Sequence, residues 1–329
     1  VRLPVLVARR LPPSAMARLG ERFEVTVWEG DHPMPRERLL DEVAGKAALV
    51  ALLTDVVDDE LLEAAGPGLV VVANYAVGVD NVDLGGCSRR GVLVTNTPDV
   101  LTDATADLAW ALLMAAARRV AEGDRFLRTG VEWTWGPEMM LGRDVAGATL
   151  GIVGLGRIGR AVARRGRGFG MRVLATGRPG RGDDGGGVAE MVPLERLLAE
   201  SDFVSLHVNL TPETRHLMSA DRLALMRPDA VLVNTARGPV VDEAALADAL
   251  DGGRLFAAGL DVFEAEPRVH PRLLSNPKVV LTPHLGSATV GAREAMGRLV
   301  ADNVVAALEG AVPPNLVNPG ALARRRPAG

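Results

Sequence analysis

"TLGIVGLGRIGRAVARRGRGFGMRVLATGR", residues 149–178, is the stretch from which the fold class can be read. An apolar run (149–154) ends at Gly154, and Gly154, Gly156 and Gly159 follow the spacing GxGxxG. "IGRAVARRGRGFG" (158–170) then has helical periodicity, and a second apolar run, "RVLAT" (172–176), completes a strand–turn–helix–strand unit. In that context the first glycine permits a tight turn, the second lets backbone approach a pyrophosphate, and the third lets helix and strand pack closely. The helix N-terminus adds N–H groups and the positive end of its dipole for the phosphates. The unit therefore predicts a dinucleotide site at Gly154, Leu155, Gly156, Arg157, Ile158 and Gly159.

The same pattern extends along the chain. Apolar runs bounded by turn residues recur at 5–8, 69–73, 92–96, 203–207 and 230–234, and helical patterns lie at 106–123, 194–201 and 242–253. Continuous apolar runs suit strands buried on both faces of a parallel sheet, and their alternation with helices means α/β, doubly wound. The final "NPGALARRRPAG" (318–329) reads as a loose basic tail.

Composition narrows the partners. The 329 residues, 48% hydrophobic and 24% charged, are enough for two domains with their own cores. A net charge of −4 argues against nucleic acid, even though all basic residues but Lys46 and Lys278 are arginine. No apolar run reaches about 18 residues, and "VRLPVLVARRLPP" (1–13) is too short and proline-broken for a signal peptide, so no membrane and a cytoplasmic location are expected. Cys87 is the only cysteine, which excludes a disulfide framework and a cysteine zinc site. With no HExxH and no GxSxG, neither a metal nor hydrolase chemistry is expected.

The cofactor's identity turns on the end of the second strand. An acid about 20 residues beyond the glycines normally accepts from the adenosine ribose of NAD. Here Gly177 leaves room, and Arg178 offers forked donors to a 2′-phosphate that an aspartate would repel. NADP is therefore preferred, with NAD as the other dinucleotide; the competing reading makes Arg178 a surface arginine and gives the ribose to Asp183 or Asp184.

Five histidines are available for proton transfer. His32 and His270 sit beside prolines and His216 follows a polar turn, as bystanders do. His207 ends a strand on the cofactor side, as a pocket-lining residue or a candidate acid. His284 in "VVLTPHLGSAT" (279–289) follows a strand and precedes a helix, a position fixed by backbone yet open to a cleft.

Two further strand ends, "VNTARGPVVDEAAL" (233–246) and "AAGLDVFEAEP" (257–267), add an arginine and carboxylates. Together with "NYAVGVDNVDL" (74–84) and "NTPDVLTDATADLAWALLMAAARR" (96–119), the chain resembles the D-isomer-specific 2-hydroxyacid dehydrogenases over nearly its whole length. "TPDVLTDATADLA", "GLGRIGRAVARR" and the "TGR" at 176–178 are similar to the glyoxylate/hydroxypyruvate reductase branch. The resemblance implies that Arg237 binds the carboxylate and carbonyl of a small 2-oxo acid, Glu266 orients and charges the histidine, and His284 donates the proton. A carboxylate partner favours imidazolium and keeps an acid at hand near neutral pH. Arg237 paired with Asp242, and Glu266 as a plain loop acid, are the alternatives. The resemblance also implies substrate contacts at Val77, Gly78 and Ser287, and cofactor contacts at Thr105, Gly177, Arg178, Pro179, Thr235, Ala236, Arg237, Asp261, His284 and Gly286.

The implied architecture is two doubly wound Rossmann-like domains with an interdomain cleft. Residues 1–99 and 285–329 would be the substrate-binding domain, and 100–284 the dinucleotide-binding domain. The apolar "FLRTGVEWTWGPEMMLG" (126–142) lies where the family makes dimer contacts, so a homodimer is expected, against a monomer that folds this loop onto itself. The chain ends soon after "NLVNP" (315–319), so the regulatory domain of some relatives is expected to be absent. The same fold also serves corepressors that sense NAD(H), which leaves a binding protein as the second reading.

Overall fold

The computed structural model describes residues 2–177 and 185–325. They fall into two compact units, residues up to Leu101 with those from Ala288 onward, and Thr102–Ser287. The first unit opens with β1 (Pro4–Val7), α1 (Pro13–Arg22), β2 (Glu24–Val27), α2 (Arg36–Val43), β3 (Ala48–Ala51), α3 (Asp59–Ala65), β4 (Val71–Asn74), α4 (Leu84–Arg90) and β5 (Leu93–Thr95). Its five strands are parallel in the order β2-β1-β3-β4-β5. β3, β4 and β5 are buried along their whole length, as their unbroken apolar runs require, whereas the edge strand β2 is half-exposed. Asp58 and Asp83 cap α3 and α4 by accepting from the N–H groups of Leu61 and Gly86, each cap contributing about 1 kcal/mol.

The second unit contains α5 (Thr102–Ala117), α6 (Val120–Arg128), β6 (Thr149–Val153), α7 (Arg157–Gly168), β7 (Arg172–Thr176), β8 (Glu190–Met191), α8 (Leu194–Glu200) and β9 (Phe203–Leu206). It continues with α9 (Ala220–Leu225), β10 (Val231–Asn234), α10 (Glu243–Asp251), β11 (Ala257–Leu260), α11 (Pro271–Ser275) and β12 (Val279–Leu281). The seven strands are parallel in the order β12-β11-β10-β9-β6-β7-β8. The order reverses between β6 and β9, so the loops after those strands flank the topological switch point, where such sheets bind ligands. Apolar clusters cover both faces, one under α5 and α7 and one under α8 and α10.

α12 (Val290–Leu308) belongs to the first unit and packs on α1 and β4. Two expectations need correction. The helical pattern at 106–123 is two helices, because Arg119 takes a left-handed φ of 54° and separates α5, with eight buried side chains, from α6, with none. Nor is the stretch after Asn318 loose as far as Arg325. Asn318 accepts from the Val94 N–H and donates to the Val92 carbonyl, Ala321 is fully buried in a 3₁₀ turn (Pro319–Arg324), and Arg325 donates to the Gly310 and Ala311 carbonyls.

Candidate active site

The glycine turn after β6 has the shape its sequence predicts. Gly154 holds a φ of 100°, and a Cβ there would lie 2.6 Å from the His207 carbonyl oxygen. At Gly159 a Cβ would lie 2.2 Å from the Gly154 carbonyl oxygen, so α7 presses directly on the turn. Among the described residues, Gly156 caps α7 with no side-chain bond to its first N–H groups, and none of their atoms lies within 4 Å of where its Cβ would be. Backbone donors at a helix N-terminus beside open space fit a pyrophosphate. At the end of β10, Thr235 has a buried hydroxyl without a hydrogen-bond partner among the described residues, a polar group suited to a ligand at this edge. Gly177 is exposed after β7, whereas Arg178, Pro179, Asp183 and Asp184 lie outside the described residues.

The ionisable groups come from the loops after β10, β11 and β12. Asn234 accepts from the Ala236 N–H and donates to the Arg237 carbonyl, which shapes the turn bearing Arg237. Gly238 follows because a Cβ there would fall 1.8 Å from the Phe263 carbonyl carbon. Glu266 Oε1 accepts from the Phe263 N–H at 3.0 Å, and its Oε2 lies 2.9 Å from His284 Nδ1. Burial works to raise the Glu266 carboxyl, but the hydrogen bond and charge of His284, the Phe263 N–H and the charge of Arg237 outweigh it and hold the pKa below the usual carboxylate range. Asp242 caps α10 by accepting from the Ala245 N–H at 3.0 Å.

His284 is held by Asp261. One Asp261 oxygen accepts from the Thr282 hydroxyl and the Leu285 N–H, each at 2.6 Å, and the other accepts from the Gly286 N–H at 2.8 Å. The Asp261 carbonyl accepts from the His284 N–H at 2.9 Å, and His284 takes a left-handed φ of 55°. Asp261 Oδ2 and Thr105 Cγ2 lie 3.3 Å and 3.4 Å from the would-be Cβ of Gly286.

Within the first unit, the loop after β4 is fixed by two side-chain amides. Asn74 Nδ2 donates to the Gly78 carbonyl and Asn96 Nδ2 to the Val77 carbonyl, each at 2.8 Å. The Val77 and Gly78 N–H groups have no acceptor among the described residues, and such successive amides make a concavity for an anion.

Residues 110–286 match the family of the D-isomer specific 2-hydroxyacid dehydrogenase, NAD binding domain. The chain belongs to that family. This dehydrogenase is 53% identical to the glyoxylate reductase of Thermococcus onnurineus (strain NA1), over 98% of each chain. Among solved structures it is similar to a protein from Thermus thermophilus (48% identity, TM-score 0.89, covering 96% of this chain and 100% of that one). It is also similar to an NADPH-dependent glyoxylate/hydroxypyruvate reductase from Sinorhizobium meliloti, in complex with NADP and malonate (35% identity, TM-score 0.83, covering 100% of both).

The dehydrogenase's other histidines are differently placed. Burial pushes the His207 imidazole down to about 3, and its Nε2 lies 2.8 Å from the Ser205 hydroxyl, so it stays neutral at physiological pH and is no acid. His32 is exposed. His216, expected as a bystander, pairs with Glu264 at 2.6 Å. Sequence reasoning missed the supporting amides Asn74, Asn96 and Asn234 and the clamping role of Asp261. The available signal was their position, a polar residue at or just past the end of a buried parallel strand. Ser287 lies in the second unit, at the end of the Asp261-held turn, and Val77 and Gly78 in the first.

Proposed function

We propose that this dehydrogenase uses NADPH to reduce glyoxylate, hydroxypyruvate and similar small 2-oxo acids to the corresponding D-2-hydroxy acids. The observation that carries the reading is the 2.9 Å hydrogen bond between Glu266 and His284, on the same sheet edge as the glycine turn. The bound nicotinamide would supply a hydride to the carbonyl carbon. The Val77 and Gly78 amides receive the substrate carboxylate, and Arg237 grips the carboxylate and polarises the carbonyl. As charge develops on the carbonyl oxygen, His284 passes it a proton from its imidazolium, and the Glu266 carboxylate stabilises that imidazolium beforehand. The N–H groups of the first turn of α7 would hold the dinucleotide phosphates, and Arg178 with Gly177 would select the 2′-phosphate.

The enzyme names of relatives about half identical over nearly the full chain favour this reading over an NAD(H)-sensing binding protein. We place the enzyme in the cytoplasm, the compartment that a lone free cysteine suits. We also propose a homodimer through 126–142, where Trp133 and Trp135 are 52% and 76% exposed and Val131 and Leu141 are exposed beside them. A spectrophotometric panel of glyoxylate, hydroxypyruvate, pyruvate and bulkier 2-oxo acids, run with NADPH and NADH, tests the function. Turnover of glyoxylate and hydroxypyruvate is expected, and no turnover of any acid with either cofactor would overturn it.

A further inference from the structure

Two residues before Glu266, Glu264 belongs to a second histidine–carboxylate cluster to which the proposed chemistry gives no role. His216 Nε2 is 2.6 Å from Glu264 Oε1, with Arg215 at 3.8 Å from the same oxygen. The other Glu264 oxygen accepts from the Glu243 N–H at 3.2 Å, and the Glu264 N–H donates to Glu243 Oε1 at 2.8 Å. Each glutamate thus binds the other's main chain. Glu243, the first residue of α10, is only 5% exposed, an unusual burial for a carboxylate that has to be compensated by such bonds. Burial raises the Glu243 carboxyl and the neighbouring Glu264 charge adds to this, against the lowering effects of the Glu264 N–H and of His270.

The cluster joins the two loops that carry the proposed catalytic groups. The His216 N–H donates to the Pro239 carbonyl at 2.7 Å from a left-handed φ of 48°, and the Met218 N–H donates to the Val240 carbonyl. The 216–218 segment is therefore laced to the turn after Arg237. Gly238 lies against the Phe263–Glu264 peptide, with no room for a Cβ. On one side of that contact is Arg237; on the other is Phe263, whose N–H holds Glu266.

We infer that His216, Glu264 and Glu243 act as positioning residues, a brace that fixes the Arg237 turn against the Glu266 loop and so sets the spacing of the carboxylate grip and the proton donor. The inference rests on the roles proposed above for Arg237 and Glu266. A 1 Å misplacement in such a constellation can cost on the order of 100-fold in rate, so a loosened brace should act on the substrate and spare the dinucleotide.

The test compares Glu264→Ala, His216→Ala and His216→Gln, the last keeping an N–H donor, by steady-state kinetics and by amide hydrogen exchange. Glu264→Ala and His216→Ala are expected to lower kcat/KM for glyoxylate by roughly 10- to 100-fold while KM for NADPH stays within about twofold. Exchange should accelerate in residues 236–241 and 262–266, and His216→Gln should restore most of both readouts. Should Glu264→Ala not fold, His216→Ala, whose ring is 38% exposed, carries the test. A fall in the unfolding midpoint with unchanged kcat/KM and unchanged exchange at 236–241 would overturn the brace and leave a helix cap. If the wild-type chain turns over no 2-oxo acid, yet exchange accelerates in those two segments alone, the brace stands and the proposed function fails.

Discussion

His284 Nδ1 lies 2.9 Å from Glu266 Oε2, and the same carboxylate receives the Phe263 N–H on its other oxygen. With its pKa held below the usual range, Glu266 is ionised across neutral pH, so a His284 imidazolium faces a full negative charge. Glu266→Gln keeps an acceptor but removes the charge. The alkaline limb of the kcat/KM profile for 2-oxo acid reduction should then move to lower pH. An unmoved limb would make Glu266 a loop acid. A depressed carboxyl also has a stability signature: its contribution is in place above the unfolded value of about 4.3 and is lost as pH falls through the folded-state value.

Asp261→Ala should loosen the turn that presents His284. Asp261 is 1% exposed, and its removal leaves the Thr282 hydroxyl and the Leu285 and Gly286 N–H groups without their acceptor. Burial pushes the Asp261 carboxyl up despite those bonds and the charge of His284. Urea unfolding should show a loss of about 2–4 kcal/mol, with kcat reduced alongside. A variant of native stability would mean that water replaces the clamp.

Cofactor choice can be inverted from two positions. Arg178→Ala should lower kcat/KM for NADPH by roughly 10- to 150-fold and leave NADH nearly unchanged, the effect of one charge-assisted hydrogen bond. Adding Gly177→Asp should invert the preference, since the new carboxylate repels a 2′-phosphate and accepts from a ribose hydroxyl. Among the described residues, a Cβ at Gly177 meets only the flexible end of Met191, at 3.4 Å. Equal use of NADH and NADPH by the wild-type enzyme, or an unchanged ratio in the double variant, would move the ribose contact elsewhere in the loop.

Much of the architecture could be read from the chain because buried parallel strands are continuous apolar runs. β7 coincides with the predicted 172–176, and the strands after which Arg237, Glu266 and His284 sit were recognisable from their polar ends. β2, β3 and β8 were not recognised: "EVTV" alternates at a half-exposed edge, "ALVA" is the middle of a longer apolar run (47–53) that does not mark the strand's end, and β8 has two residues. The break at Arg119 has no glycine or proline to announce it. The supporting bonds of Asn74, Asn234, Asp261 and Glu264 depend on which loops the sheet order makes neighbours, and a linear pattern does not carry that information.

Assembly is checked by light scattering at micromolar concentration, where a dimer is expected. Trp133→Glu with Trp135→Glu should shift it toward monomer, because charges then replace the largest exposed apolar side chains of the loop. A wild-type monomer throughout that range would contradict the proposed interface.

The most direct test of the account is the turnover of glyoxylate by NADPH in His284→Ala compared with the wild-type chain, with NADPH affinity measured in parallel by fluorescence. Loss of a positioned general acid predicts a kcat lower by roughly 10²- to 10⁴-fold with NADPH affinity little changed. Near-normal turnover in His284→Ala would contradict the assignment of His284 as the proton donor, and with it the mechanism proposed for this site.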